Sequence, residues 1–224
     1  MEKYGEVPPK FTKAWWAYFW DYYKIHTISI GCAVILITVT TVQCVRQPKY
    51  DLNILYVNPS EVTEETQNSV TAALENGIED ITGDGKKLTF VQSLPLKNLE
   101  ATDEQSYAMV TKLTLELQAG EGNMFMVNRE IAEELIGSDT YRDCFMTLGE
   151  LNIDESRFDT LKSSDGTAYA ISLSENNVLR DSGLDTNNIY LMVRRLYERE
   201  QDKEKNRSMY ENTLKACSFM VNGE

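Results

Sequence analysis

The sequence contains a single histidine, His26, among its 224 residues. The long region that follows it therefore has no imidazole for a Ser-His-Asp or Cys-His catalytic arrangement, nor for a His-ligated zinc site. Cysteine is also scarce, with four residues, so the chain is not a disulfide scaffold. Cys144 and Cys217 lie far apart in the C-terminal region, and the sequence leaves open whether they pair.

Charged residues are missing from one stretch, Ile25–Val45. A helix of these 21 residues would be about 30 Å long, the thickness of the hydrocarbon core of a bilayer. All three tryptophans, Trp15, Trp16 and Trp20, lie shortly before it, as is typical of the aromatic belt at a membrane interface. The sequence therefore predicts a transmembrane helix that contacts the lipid bilayer through residues 25–45.

The flank before this stretch, residues 1–24, favours a retained anchor over a cleaved signal peptide. It is long for the charged region of a signal peptide. It also carries four lysines, whereas only Arg46 and Lys49 follow the apolar stretch closely. This balance predicts a single-pass cell-membrane protein with a cytoplasmic N-terminus. A short linker at residues 46–49 would then lead to an extracytoplasmic domain at residues 50–224.

The region from Arg46 onward is acidic, with 18 Lys and Arg against 32 Asp and Glu. Such a surface argues against nucleic acid as a partner. Gly120 and Gly122 lie between a predicted helix and a predicted strand, the reverse of a phosphate-binding turn. The Gly-Asp-Gly turn at residues 83–85 lacks the ligand spacing of an EF-hand loop. We therefore expect neither a cofactor nor a metal.

Strand and helix signals alternate through residues 50–224. Patterns of buried strands occur at residues 50–57, 88–93, 123–127, 168–173 and 189–193. The helical patterns between and after them begin near Ser60, Thr102, Ile131, Thr140, Ser174 and Glu198, with Ser60, Thr102 and Ser174 as the expected caps. These units predict an α/β fold with a mainly parallel sheet and helices on both faces.

The order of these signals resembles a known family. The strands YDLNILYV and LTFVQS and the segment KLTLELQAGEGNMFMV are similar to the first lobe of bacterial extracellular solute-binding proteins of ABC transporters. The strand YAISLS resembles the crossing back into that lobe, and WWAYFWDYYK resembles anchors of Gram-positive, clostridia-like bacteria. Only about forty residues separate NMFMV from AYAISLS. The resemblance, over residues 50–221, therefore implies a one-lobe relative without the usual two-lobed closure on ligand.

Five polar residues are candidates for ligand binding because they follow predicted strands, and ligands of open α/β sheets bind at the carboxyl ends of the strands. They are Asn58, Ser60, Asn128, Ser172 and Ser174. The alternative is that these Asn and Ser residues cap helices and form turns.

Three functions are compatible with these patterns. The leading prediction is a non-catalytic, membrane-anchored extracytoplasmic binding or interaction module, accessory to an ABC transporter or another envelope complex. A membrane-protein partner is part of that prediction, and Ser29 and Ala33 have the spacing of a helix-packing pair, with chance as the alternative. The first alternative is a tethered receptor for a small polar solute. The second is a carboxylate-dependent hydrolase, which needs two carboxyl groups about 5–10 Å apart.

Overall fold

The computed structural model describes residues 8–46, 48–100, 102–120 and 122–222, and it divides into two compact units between Pro48 and Lys49. The first unit contains one long helix, α1, Lys13–Arg46. Its segment Tyr23–Gln43 is long and apolar enough to cross a membrane, and none of its most apolar 18-residue window is buried. Such a helix near the N-terminus is compatible with a membrane span and with a signal sequence.

Two threonine hydroxyls in α1 donate hydrogen bonds to backbone carbonyls of the same helix. Thr38 Oγ1 donates a hydrogen bond to Val34 O at 2.8 Å, and Thr41 Oγ1 donates to Ile37 O at 2.7 Å. A hydroxyl bonded to the carbonyl four residues earlier needs no other partner in an apolar surrounding. These threonines are therefore compatible with a lipid environment.

The described part of the second unit, residues 49–100, 102–120 and 122–222, contains six α-helices and six strands. In chain order they are β1 Leu52–Val57, α2 Glu64–Leu74, β2 Thr89–Leu94, α3 Glu104–Ala119, β3 Met124–Asn128, α4 Arg129–Gly137, α5 Asp139–Arg142, β4 Thr160–Lys162, β5 Ala168–Ser172, β6 Ile189–Val193, α6 Glu198–Gln201 and α7 Glu204–Asn222. Single 3₁₀ turns occur at Glu75–Gly77 and Glu155–Arg157.

The six strands form one mixed sheet in the order β2-β1-β3-β6-β5-β4. Strands β1, β2 and β3 are parallel, whereas β6 is antiparallel to β3 and β5, and β4 is antiparallel to β5. The prediction of a mainly parallel sheet therefore holds for one half only. The reason is that residues 173–188, between β5 and β6, form no helix, and a parallel pair needs a crossover connection.

Helices cover both faces of the sheet, as predicted. Along β1, Ile54 and Tyr56 face a core that includes residues of α2 and α7, whereas Leu55 and Val57 face a core that includes residues of α3 and α4. Alternate side chains of a strand point to opposite faces. A strand buried on both faces reads as a continuous apolar run, which explains the sequence LNILYV.

The caps and the last helices differ from prediction. The N-caps of α2 and α3 are Thr63 and Asp103 rather than Ser60 and Thr102, and each side chain accepts a backbone N–H three residues later. The helix expected at residues 140–148 is limited to the short α5, and the one expected after Ser174 is absent from residues 175–183, all of which the structure describes. Hydrogen bonds of Asn and Ser side chains hold turns there instead. In one of these turns, Asn176 Oδ1 accepts a hydrogen bond from Leu179 N at 3.1 Å.

Cys144 and Cys217 do not pair. Both are free and buried. Cys144 belongs to the core on the α3 and α4 face of the sheet, and Cys217 belongs to the core on the α2 and α7 face. The sheet therefore separates the two thiols, and burial raises the pKa of Cys217 to about 12, as expected of an inert core thiol.

Candidate functional site

Two clefts lie where β1, β3 and β5 end. We name the first the Asn58 cleft: it has a volume of about 490 Å³ and is lined by Asn58, Lys97, Asn128, Arg129, Asp185 and Asn188, among others. We name the second the Asp159 cleft: it has a volume of about 560 Å³ and its lining includes Asp159, Ser172, Ser174 and Asn176. The structure thus brings Asn58 and Asn128 together and places Ser172 and Ser174 in a separate cleft.

Asn58 is held by its neighbours in the Asn58 cleft. Its Nδ2 donates to Tyr56 Oη at 2.6 Å and to Ser60 Oγ at 2.7 Å, and Tyr56 Oη donates to Asp185 O at 2.8 Å. Burial of the Tyr56 phenol raises its pKa, so it remains a neutral donor. Ser60 therefore belongs to this cleft through Asn58, as part of a chain of hydrogen bonds that fixes the amide.

Asn128 ends β3 and caps α4. Its Oδ1 accepts the backbone N–H of Ile131 at 3.0 Å, which satisfies one free donor of the first helical turn. The next residue, Arg129, donates its backbone N–H to Asn188 O at 2.8 Å, and Asn188 has a left-handed φ of 54°. The capping role proposed as the alternative is therefore present at Asn128, and it uses the amide oxygen.

The Asn58 cleft also contains charged side chains that were not among the predicted ligand-binding residues. Arg129 and Lys97 supply positive charge, and Glu130 and Asp185 supply negative charge. Arg129 is half-exposed, pairs with Glu133 at 2.7 Å, and lies over the Tyr190 ring at 5.9 Å. Arg129 is the first residue after β3, whose last residue is Asn128. This position at the end of a strand was the signal for Arg129 in the sequence. Amides beside opposite charges can bind a small zwitterionic or polar solute.

Ser172 and Ser174 interact with each other in the Asp159 cleft. Their hydroxyl oxygens are 3.0 Å apart, and Ser174 N donates to Ser172 Oγ at 3.3 Å. Tyr190 Oη donates to Asp159 Oδ2 at 2.6 Å. Burial, followed by this bond to a carboxylate, raises the pKa of Tyr190 to about 12. The Asp159 carboxylate is thus held by a phenol that stays protonated.

The opposite end of the sheet, where β1, β2 and β3 begin, contains buried polar groups. Asp51 is fully buried, and its carboxylate accepts the backbone N–H groups of Ile81, Thr82 and Leu88 at 2.9, 3.1 and 2.9 Å. Asn212 of α7 donates to Asp51 O at 3.0 Å. Backbone donors therefore stabilise the Asp51 charge, and α7 fixes the start of β1.

A buried ion pair lies at the same end. Arg194, directly after β6, is 1% exposed, and its Nη1 donates to Glu200 Oε2 at 3.1 Å. Its Nη2 also donates to Gly120 O at 2.8 Å, and its Nε donates to Gly122 O at 3.3 Å. We call the contacts of Asp51, Asn212, Arg194 and Glu200 the amino-end network. Its first part joins β1 to α7, and its second part joins the end of β6 to α6 and to the loop after α3.

Two buried amide oxygens near this network lack a hydrogen-bond partner among the described residues. They are Asn53 Oδ1 and Asn123 Oδ1. Asn53 lines a recess of about 470 Å³ together with Tyr50, Phe90 and Gln92. Buried acceptors of this kind are usually satisfied by ordered water.

Among residues 8–46, 48–100, 102–120 and 122–222, no group of three or more His, Cys, Asp and Glu side chains could hold a metal ion. Glu133 pairs with Arg129, and Glu134 Oε2 accepts the backbone N–H of Leu99 at 3.0 Å. Both carboxylates therefore already have partners within the domain.

Comparisons with protein-family models, curated proteins and solved structures find no match to this chain.

Proposed function

We propose that this protein is a membrane-tethered, non-catalytic binding module. In this proposal α1 crosses the cell membrane, the N-terminus is cytoplasmic, and the α/β domain contacts another component of the cell envelope. The observation that carries the proposal is the exposed apolar segment Tyr23–Gln43, which stands ahead of a domain with its own core on both faces of the sheet. An apolar helix of that length is costly in water and stable in lipid.

The chemistry of the strand ends supports a binding role over catalysis. Asn58 and Asn128 supply amides, which bind but do not transfer protons at neutral pH. The carboxylate of Asp159 is held by Tyr190 Oη at 2.6 Å, and the domain has no histidine. A general acid–base pair would need two groups with opposed pKa shifts facing one substrate.

The short connection between helix and domain supports a partner close to the membrane. Five residues separate the end of α1 at Arg46 from the start of β1 at Leu52, and they span at most about 20 Å. A domain held on so short a tether is better suited to a fixed membrane complex than to capturing a diffusing solute. With the resemblance to solute-binding proteins, this favours an accessory of an ABC transporter.

The proposal is tested with the full-length protein carrying a C-terminal epitope. We expect it to resist carbonate extraction from membranes, and protease added to intact cells to remove the epitope. A matched variant with Ile30→Lys and Ile35→Lys should leave the membrane fraction, because each central lysine costs about 3 kcal/mol of insertion free energy. Release of the unmodified protein by carbonate, or turnover of an envelope substrate by the purified protein, would contradict the proposal.

A tethered receptor for a small polar solute is the second candidate, and the Asn58 cleft favours it. Its volume of about 490 Å³ and its mixed charges fit a zwitterionic solute. We expect a binding solute, screened among amino acids, short peptides and sugars, to raise the melting temperature of the protein. Arg129→Ala should abolish that increase, whereas Arg207→Ala, a change at an exposed residue of α7, should not. A screen without any stabilising solute would remove this candidate.

A further inference from the structure

We propose that the side chain of Gln67 occupies the outer edge of β2 in place of a further strand, and thereby keeps β2 from pairing with a second copy of this chain. Gln67 lies in α2 and contacts the backbone of β2. We name the hydrogen bonds that Gln67 and Thr71 make with β2 the edge contacts. They lie wholly within the α/β domain and do not depend on the proposed membrane tether.

Strand β2 forms one edge of the sheet. In the part of the chain that the structure describes, it has a partner strand, β1, on one side only. Leu52 N of β1 donates to Leu88 O at 3.3 Å, at the start of this parallel pair. The backbone groups of successive residues in a strand point alternately to its two sides. Those of Leu88 and Phe90 therefore point to β1, and those of Thr89 and Val91 point outward.

The amide of Gln67 bonds to two of these outward groups. Val91 N donates to Gln67 Oε1 at 2.7 Å, and Gln67 Nε2 donates to Thr89 O. Because one partner is a donor and the other an acceptor, they determine which atom of the amide is the oxygen. Thr71, about one turn later in α2, adds a hydrogen bond from its Oγ1 to Thr89 O at 2.9 Å.

These two bonds have the pattern of a parallel strand. In a parallel ladder, a residue of the neighbouring strand donates its N–H to one residue and accepts the N–H of the residue two positions further along. The Gln67 amide makes the same pair of bonds, on either side of Phe90. A seventh strand added here would need the C=O of Thr89 and the N–H of Val91, which Gln67 already occupies.

The two edges of the sheet differ in how they are protected. An edge strand is a template for pairing with another chain, and short length, bulges, charged residues and proline reduce that risk. Strand β4, at the far edge, has three residues, shifts register between Leu161 and Lys162, and ends in that exposed lysine. Strand β2 has six residues, TFVQSL, with neither a charge nor a proline. Protection of β2 therefore has to come from outside the strand, and Gln67 supplies it.

The strand that matches an open β2 edge is β2 of a second copy. Two identical edges related by a two-fold axis pair with each other and leave neither of them open. Pairing of β2 with β4 of another copy would join at most three residues, since β4 is no longer than that. Loss of the edge contacts should therefore produce a dimer that forms through β2.

The test is Gln67→Ala in the full-length protein in detergent micelles. The substitution removes both amide bonds and favours the helix α2, because alanine is the best helix former. We expect the variant to dimerise in sedimentation experiments at least about tenfold more tightly than the native protein. Hydrogen exchange read by mass spectrometry should show the Val91 amide exchanging about tenfold faster at low concentration. At concentrations at which the variant dimerises, exchange in residues 88–94 should slow again.

Two matched variants separate an open edge from a general loss of stability. Asn68→Ala removes an exposed amide from the next position of α2, and it should change neither exchange at Val91 nor sedimentation. Gln67→Lys removes the acceptor of the Val91 N–H but places a charge at the edge, and charged side chains prevent strands from pairing there. We therefore expect Gln67→Lys to show the faster exchange at Val91 without the dimer.

Three results would overturn the inference. Gln67→Ala might sediment like the native protein at every concentration, which would show that Gln67 does not prevent pairing. Gln67→Lys or Asn68→Ala might dimerise as tightly as Gln67→Ala, in which case dimerisation would not follow from an open edge. A dimer of Gln67→Ala in which residues 88–94 still exchange fast would exclude β2 as the strand that pairs.

Discussion

The two ends of the central sheet differ in how their polar groups are used. At the amino end, Asp51, Arg194 and Asn212 are buried, and the polar atoms of these side chains bond to backbone groups or to Glu200. At the carboxyl end, Arg129 is half-exposed and lines an open cleft with Asn58. The first arrangement holds the domain together, and the second leaves polar groups accessible to a ligand.

Polar groups that stabilise the domain and polar groups that remain accessible therefore lie at opposite ends of the sheet. Buried charge is tolerated only where several donors or a counter-charge satisfy it, and such networks are costly to break. Residues that bind ligands must instead retain unused hydrogen-bonding capacity in solvent. Substitutions at the amino end should therefore change the free energy of unfolding, and substitutions at the carboxyl end should mainly change binding.

The largest effect should come from Arg194→Met. The substitution leaves the Glu200 carboxylate and the carbonyls of Gly120 and Gly122 without their buried donor. We expect the free energy of unfolding to fall by about 4 kcal/mol in urea titrations followed by circular dichroism. The double variant Arg194→Met, Glu200→Met should recover part of the loss. No recovery would show that the carbonyl contacts, and not the ion pair, are what matters.

Asp51→Asn should have the next largest effect. An amide keeps one acceptor oxygen but places an NH₂ group against a backbone N–H now bonded to the carboxylate, such as that of Leu88 at 2.9 Å. We expect a loss of about 3 kcal/mol in the same titration, because bonds to a buried charge are the stronger kind. Asp84→Asn, at an exposed turn residue, is the matched control and should leave the midpoint unchanged. Equal midpoints for the two variants would refute the role given to Asp51.

Asn128→Ala tests the carboxyl end, where a predicted ligand residue also caps a helix. The change removes the acceptor for Ile131 N at the start of α4. We expect a loss of about 1 kcal/mol, as for other caps. Asn128→Asp retains an acceptor and should restore stability. If Asn128→Asp were as unstable as Asn128→Ala, the cap would not be the source of the effect.

Some of these structural features can be predicted from the sequence. The strand Ile189–Val193 has the bounds that its apolar run predicted, and Gly120 ends α3 as expected. These signals are local, because a buried strand needs apolar residues and a helix end favours glycine. The rule that parallel strands end at one edge of the sheet also predicted that Asn58 and Asn128 lie near each other, and both line the Asn58 cleft.

Other parts depend on contacts between distant residues. Strand β4 was missed because it has three residues, although the Ser-Asp-Gly loop before β5, with Gly166 at φ 85°, is a hairpin signal. The antiparallel direction of β6 relative to β5 depends on the connection at residues 173–188, which contains no helix. The pairing of Arg194 with Glu200 and the burial of Asp51 required the folded chain, since both residues look like ordinary surface charges in sequence.

The pH dependence of stability should reveal a smaller contribution at the amino end. Arg195 donates to Glu150 at 2.6 Å, and this contact, with help from Thr147, lowers the pKa of Glu150 to about 2 from its usual 4.5. A depressed pKa contributes stability that is full above the unfolded value and is lost as pH falls from about 4.5 toward 2. Glu150→Gln should therefore be less stable than the native protein at pH 6, and the difference should shrink as the pH falls toward 2. A constant difference across that range would contradict the assignment.

Arg129→Ala should have the smallest effect on stability. It therefore gives the clearest test of the difference between the two ends of the sheet. Its ion pair with Glu133 joins two half-exposed side chains at 2.7 Å, and solvent-exposed pairs contribute little. We expect an unchanged midpoint in urea, while any solute that stabilises the native protein ceases to do so. Arg129→Lys, which keeps the charge but loses the planar guanidinium, distinguishes charge from geometry. A clear loss of stability in Arg129→Ala would place Arg129 with the structural residues, and the carboxyl end would then resemble the amino end.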